Sequence, residues 1–507
     1  VALTLYRGGV VRTPDDPRAT ALLVDGGRIG WVGPDRDAPP DADEVVDLDG
    51  ALLAPAFVDA HVHATSTGMA LLGLDLTAAT SLSDCLERVA AAARRARGGV
   101  VQGHGWDETR WPEGRPPTRQ ELDRASYGGV VYLSRVDVHS AAVSSALLAA
   151  APEARAAAGF SDTGHVSRDA HHVVRRVARE SVSAGQRRDF QRAALHRAAG
   201  LGVAAVHELA GPDISSLEDV AALQALAREE PGPEVAVYWG ELGADGVRRA
   251  GELGALGAAG DLFADGSIGS HTAALLQPYA DADHAGHAYL DADQVREHVV
   301  ACTEAGLQAG FHAIGDAALT AVGRGLRAAA DRLGTAAVRA ARHRVEHVEL
   351  VPEDTVRTFA DLGVVASVQP VFDRLWGGTD GMYAQRLGPE RALGANPFAA
   401  LHAAGLVLAF GSDAPVTPID PWAAVHAATA HHDPSAGLDV ATAFDAHTRG
   451  GWAAARRDDE GVLRVGAPAT LAVWDDPRLD RATGLPEPGA VPACRRTVLA
   501  GRTVFDR

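Results

Sequence analysis

The sequence predicts an α/β protein built on a (β/α)8 TIM barrel, with a composite β-sandwich domain from both termini and an inserted α/β subdomain. Three observations predict it. Through the middle of the chain, eight strand-like apolar runs end in polar residues, and amphipathic helical stretches separate most of them. That alternation is the signature of parallel β/α architecture. The two ends of the chain instead alternate apolar and polar positions between Gly-Gly, Asp-Gly and Gly-Pro breaks, as short strands joined by tight turns do. Finally, the connection between His63 and Gly202 is far longer than the roughly 2–6 residues usual for a βα link.

The amino-terminal runs TLYRGGVVRT, TALLVDGGRIGWVG and EVVDLDGALLAPA match the carboxy-terminal GVLRVGAPATLAVWDD and RRTVLAGRTVF in character. Residues 1–55 and 457–507 are therefore assigned to one β-domain. The barrel occupies 56–456, its strands being APAFVDAHVH, GVAAVHELA, EVAVYWGE, GDLFADGS, LQAGFHAIGD, RHRVEHVE, GVVASVQP and LVLAFGSDAP. Helices over 293–306, 352–363 and 397–405 each end in Gly, and the last two begin at Pro, the expected asymmetry. Within the long connection, VVQGHGW and GGVVYLSRVDVHS read as strands, and 83–97 and 187–199 as helices. Residues 75–185 are expected to form a subdomain over the barrel mouth.

Composition bounds the function. The chain has 507 residues, 47% of them hydrophobic, and a net charge of −19. A nucleic-acid binder needs a basic footprint, and anionic lipid would repel this surface. No run of apolar residues is long enough for a membrane span. The first residues reach Arg7 and turn polar, unlike a secretory signal. Cys85, Cys302 and Cys494 are odd in number and far apart, so neither a disulfide framework nor a thiolate zinc site is implied. A soluble cytoplasmic protein is the expectation. There is no lysine: all 47 basic residues are arginine, which excludes a Schiff base, a P-loop lysine and a lysine carbamate.

The strongest local signal is Asp59-Ala60-His61-Val62-His63. Residues two apart on a strand share a face, so both imidazoles point into the barrel, where such a pair holds a divalent ion. Burying two imidazoles side by side is costly unless something binds them. His312 in FHAIGD, His347 in RVEH and Asp413 in GSDAP end the fifth, sixth and eighth strands. Any three of these histidines with the carboxylate leave coordination positions open, which suits a catalytic site.

The chain resembles the amidohydrolase superfamily of metal-dependent hydrolases, and within it the amidohydrolase-3 group related to N-substituted formamide deformylases. The markers are Gly105-Trp106-Asp107, Pro117-Thr118-Arg119 with Leu122-Asp123, Asp137-Val138-His139-Ser140, LFADGS, HAIGD, RVEH, SVQP, GSDAPV and Thr448-Arg449-Gly450, in order along the chain. The resemblance implies ligands at His61, His63, His312 and Asp413, with His347 either a ligand of a second ion or a hydrogen-bonding electrophile. One departure stands out. Where this group usually presents a carbamylated lysine bridging two ions, this chain has Asp261. Its shorter side chain would need a backbone shift or a water to bridge, so one ion is favoured over two; the alternative for Asp261 is a solvated loop acid. The expected cofactor is a divalent metal, most simply zinc, although iron, manganese or nickel also suit imidazole and carboxylate.

The expected reaction is hydrolysis of a non-peptide C–N bond by metal-activated water, with Asp413 carrying the proton and His347 stabilising the oxyanion. Substrate contacts are expected from Trp106, Asp107, Arg135, His139, Asp265, Ser267, His271 and Gln369. Two alternatives are deamination of a heterocycle at a mononuclear centre, and an inactive scaffold that kept the barrel. Deamination is disfavoured because Asp316 follows His312 only after Ala313-Ile314-Gly315, with no acid closer. A small molecule is the expected substrate. No pattern encodes oligomeric state, although barrels with large accessory surfaces often dimerise, making a homodimer the expectation.

Overall fold

The computed structural model describes residues 3–135, 140–475, 478–480, 483–487 and 489–507. The chain forms two compact units: one from the segment up to His63 together with everything from Leu195 onward, the other from Ala64–Ala194.

In the first unit, eight parallel strands follow one another around a barrel: Phe57–Val62, Val203–Ala210, Glu234–Trp239, Gly257–Ala258, Gln308–Ala313, Arg344–His347, Val365–Val368 and Val407–Phe410. Each pairs with its neighbour in chain order. The ring closes just beyond the eighth strand, where Val62 bridges Ala414. The fifth strand is buried along its whole length, as a strand with both faces covered must be. Predicted helices fall close to their expected places: Ala292–Glu304, Glu353–Leu362 and Phe398–Ala403. The fourth strand is the exception. It is only Gly257–Ala258, ahead of the expected run GDLFADGS. That run begins at Gly260, whose φ of +102° only glycine adopts readily, and continues as loop with an isolated bridge at Phe263.

Both ends of the chain meet in the same unit. A five-stranded sheet runs Val10–Val11, Leu52–Pro55, Leu471–Asp475, Ala493–Leu499, Arg502–Asp506, mixing strands from the two termini. A four-stranded sheet of Arg28–Gly33, Ala21–Asp25, Leu3–Arg7 and Glu44–Asp47 shares with it a core containing Tyr6, Leu22, Ile29, Leu53, Leu471 and Val498.

The second unit has its own five-stranded sheet, ordered His165–Ser167, Ser140–Val143, Val131–Arg135, Val101–Trp106, Leu74–Asp75. The helix Leu82–Ala96 packs Leu82, Cys85 and Val89 onto it. Among the described residues no helix is long and apolar enough to cross a membrane.

Candidate metal centre

The first barrel strand delivers His61 and, just past its end, His63, with ring centroids 5.2 Å apart. Their backbone is pinned to the end of the eighth strand: Asp413 N–H donates to His61 O (2.8 Å) and His63 N–H to Ala414 O (3.0 Å). The buried Asp59 ties the same two segments, accepting from Ser412 N (2.8 Å) and His61 N (3.3 Å). Gly411 makes this approach feasible, because a Cβ there would lie 2.6 Å from His61 N.

Asp261 follows Gly260 and is only 7% exposed. Leu262 O then accepts from His312 N (3.0 Å), so the chain continues alongside the fifth strand. The result places the short carboxylate among all four imidazoles. Asp261 Oδ1 lies 3.5 Å from His61 Nε2, 3.5 Å from His312 Nδ1 and 3.9 Å from His347 Nε2, while Oδ2 lies 3.2 Å from His63 Nε2. The solvated-acid alternative fails. Gly260, directly before Asp261, has a φ of +102°. Asp413 Oδ1 completes the set, 3.3 Å from His61 Nε2 and 3.2 Å from His63 Nε2.

Three of the four rings are fixed from behind. Glu346 Oε2 accepts from His61 Nδ1 (3.0 Å), Gly266 O from His312 Nε2 (3.3 Å) and Gln369 Oε1 from His347 Nδ1 (2.7 Å). Each bond places the ring proton on the outer nitrogen and leaves the inner one free to ligate. For His347 this bears on its role, since Nε2 then carries no proton to donate to a substrate oxygen. Strand alternation would aim His347 opposite to Glu346. Left-handed backbone at His347 (φ 74°) and Val348 (φ 53°) breaks that alternation. Asp413 is left-handed too (φ 54°), and such geometry, costing about 1–3 kcal/mol per residue, is typical of functional sites.

Behind the rings lies a buried ion-pair network. Arg344 donates to both oxygens of Glu346 (2.6 and 3.0 Å), to Ala60 O (2.8 Å) and to Ser367 Oγ (3.1 Å), and lies over the Tyr238 ring at 4.4 Å. Burial raises the Glu346 carboxyl, but Arg344 and His61 outweigh it and hold the pKa at about 2. Burial likewise opposes charge on Asp261, yet the surrounding imidazoles keep it well below the usual range. Burial lowers His61 and His63, but Asp261 and Asp413 overcome this, taking His63 to about 10. His347 is lowered by burial and by His312. The carboxylates thus draw positive charge into the cluster, which a divalent cation would supply.

The residues fit such an ion. His61 Nε2, Asp261 Oδ1, His312 Nδ1 and His347 Nε2 are buried without a hydrogen-bond partner among the described residues. Imidazole nitrogen plus carboxylate oxygen is the donor set of a divalent transition ion.

Of the expected substrate contacts, one sits among the candidate ligands. Gln369 is at the centre, but as the group that orients His347. Asp265 is fully buried, its oxygens accepting from the backbone amides of Ile314, Gly315 and Ala274 (2.8–3.0 Å), so it organises the loop. Ser267 is exposed and bonded to Ser270 and Thr272, and His271 pairs with Asp281 at 2.8 Å. In the second unit, Trp106 is buried and donates to Leu133 O (2.8 Å). Arg135 pairs with Glu108 (2.9 Å) and Asp107 (3.5 Å). His139 lies outside the described residues. Sequence reasoning missed Asp59, Arg344 and Glu346 as supports of the site. The available signal was strand parity, which puts Arg344 and Glu346 on one face.

The profile of the amidohydrolase family matches residues 44–505. YtcJ of Bacillus subtilis is 26% identical over 477 residues, covering 84% of this chain and 83% of that protein. The N-substituted formamide deformylase of Arthrobacter pascens is 26% identical over 517 residues, covering 94% and 93%. An uncharacterized metal-dependent hydrolase from Pyrococcus furiosus superposes with a TM-score of 0.81 at 27% identity, over 94% of this chain and 99% of that one. With its profile match, barrel and ligand cluster in agreement, the chain belongs to the amidohydrolase family.

Proposed function

We propose that this protein hydrolyses a non-peptide C–N bond in a small molecule, most simply an N-substituted amide or formamide, using a divalent ion, most simply zinc. The observation that carries this is the convergence of His61, His63, His312, His347, Asp261 and Asp413, with buried donor atoms left unpartnered. The likeness to a formamide deformylase along nearly its whole length supports the bond type.

When bound, the ion supplies Lewis acidity, lowering the pKa of water and polarising a carbonyl oxygen. The donors that would hold metal here are His61, His63, His312, His347, Asp261 and Asp413. Asp413 takes the proton from the attacking water on its carboxylate and returns it to the departing amine, which leaves neutral. Its backbone bond to His61 O keeps that carboxylate against the histidine pair. His347 acts as a ligand, because Gln369 holds its proton on Nδ1. Deamination of a heterocycle gains no support: Asp316, the acid nearest after His312, accepts from Leu276 N (2.8 Å).

The test is turnover of a panel of N-substituted formamides and amides by zinc-loaded protein. Hydrolysis is expected, its loss after chelation, and its return when metal is restored. Asp413→Asn is expected to lower kcat by at least about 10²-fold with an unchanged thermal unfolding midpoint. Wild-type rates in that variant would remove Asp413 from the proton path.

A further inference from the structure

We propose that Asp261 bridges two metal ions, its unmodified carboxylate shared between one ion on His61, His63 and Asp413 and a second on His312 and His347. The inference rests on the metal-dependent reading of this site and adds the number of ions and the identity of the group joining them.

Three sets of donor atoms, each lying within 4.8 Å of one another, can be drawn among the described residues: His61, His347 and Asp413; His61, His63 and Asp261; and Asp261, His312 and His347. Asp261 is the one member common to the last two, which between them hold His63 and His312. The spacing is that of ligands around an ion. Donors about 2.0–2.1 Å from a tetrahedral ion stand about 3.3 Å apart. Around the first position the edges are 3.2 Å (His63–Asp261), 3.5 Å (His61–Asp261), 3.3 Å (His61–Asp413) and 3.2 Å (His63–Asp413). Around the second they are 3.5 Å (His312–Asp261) and 3.9 Å (His347–Asp261).

A single ion at the first position would leave His312 Nδ1 and His347 Nε2 buried and unpartnered. Both rings are nevertheless anchored from behind with those nitrogens turned inward, by Gly266 O and Gln369 Oε1. That anchoring orients a ligand, and would serve no purpose for a nitrogen facing only other donors. The backbone at Gly260 lets a short carboxylate reach both sets: φ is +102°, and a Cβ there would lie 2.7 Å from Leu209 Cδ1.

The experiment is metal content per chain and electron paramagnetic resonance of the full-length protein loaded with manganese. Wild type is expected to hold two ions with the spectrum of a magnetically coupled pair. Asp261→Ala is expected to retain one ion or none and to lose the coupling, whereas Asp261→Glu, which keeps the carboxylate, is expected to retain a pair. Circular dichroism of the metal-free variants checks that each has folded, and the wild-type count stands without them. One ion per wild-type chain overturns the bridge, and so does a coupled pair surviving in folded Asp261→Ala. The outcomes separate from those of the hydrolysis test. One ion with amide turnover overturns the bridge alone, and two coupled ions without turnover overturn the substrate assignment alone.

Discussion

Glu346 decides how His61 can act. Its Oε2 holds the ring proton on Nδ1, and Arg344 holds Glu346 by two hydrogen bonds in a fully buried position. Replacing the carboxylate by an amide keeps the volume but weakens the grip on the ring and leaves Arg344 without its counter-charge. Glu346→Gln is expected to weaken zinc binding about 10–100-fold, measured by competition with a chromophoric chelator. Unchanged affinity in the folded variant would show that packing alone orients His61. At this scale the sequence was readable where spacing alone carries the message. His61 and His63 share a face by parity, and His312 and Asp413 sit at strand ends. It was less readable where backbone conformation decides. Neither the reach of Asp261 nor the inward turn of His347 follows from residue type, because each depends on a left-handed dihedral, at Gly260 and at His347 itself.

Strands and helices were legible wherever burial imposes a period. Seven barrel strands formed within the expected runs, but the fourth lies at Gly257–Ala258, before the expected run, which starts at Gly260. The first strand is also held from outside the sheet. Val58 N donates to His447 O (2.9 Å), and His447 Nδ1 donates back to Val58 O (2.9 Å), beside the rings of Phe57 and Phe410. Burial lowers the pKa of His447 to about 4, against ~6.5 in the unfolded chain. Between these values the unfolded chain binds the proton and the folded protein does not. This histidine's contribution is therefore whole above pH ~6.5 and is lost as pH falls toward 4, by about 1.4 kcal/mol per unit. Buried carboxylates with raised pKa, such as Asp59 at about 6, act in the opposite sense, so a comparison isolates the effect. The stability of wild type minus that of His447→Gln is expected to shrink from pH 7 to pH 5 in urea titrations. A difference independent of pH would mean that His447 keeps its ordinary pKa.

At the scale of the whole molecule, the composite sheet was anticipated because both ends of the chain carry the same alternation. One connection is too long for a βα link, and a compact unit runs from Ala64 to Ala194, against the 75–185 expected for an inserted subdomain. The three cysteines sample this organisation: Cys85 in the second unit, Cys302 on a helix next to the barrel, and Cys494 in the composite sheet. All are buried, and burial pushes the thiols of Cys85 and Cys302 up to about 12 and that of Cys494 to about 11. A thiol reagent at pH 8 is expected to modify none in the native protein and all three after unfolding. Mass spectrometry at intermediate denaturant then reports which part opens first, and rapid modification of native protein would contradict the buried placement. A last consequence concerns how the centre is assembled. A carbamate must be made from lysine and carbon dioxide before it can hold metal, and acid decomposes it. Asp261 is a finished ligand when translation ends, so loading of this centre is expected to need metal alone and to proceed equally well in carbonate-free buffer.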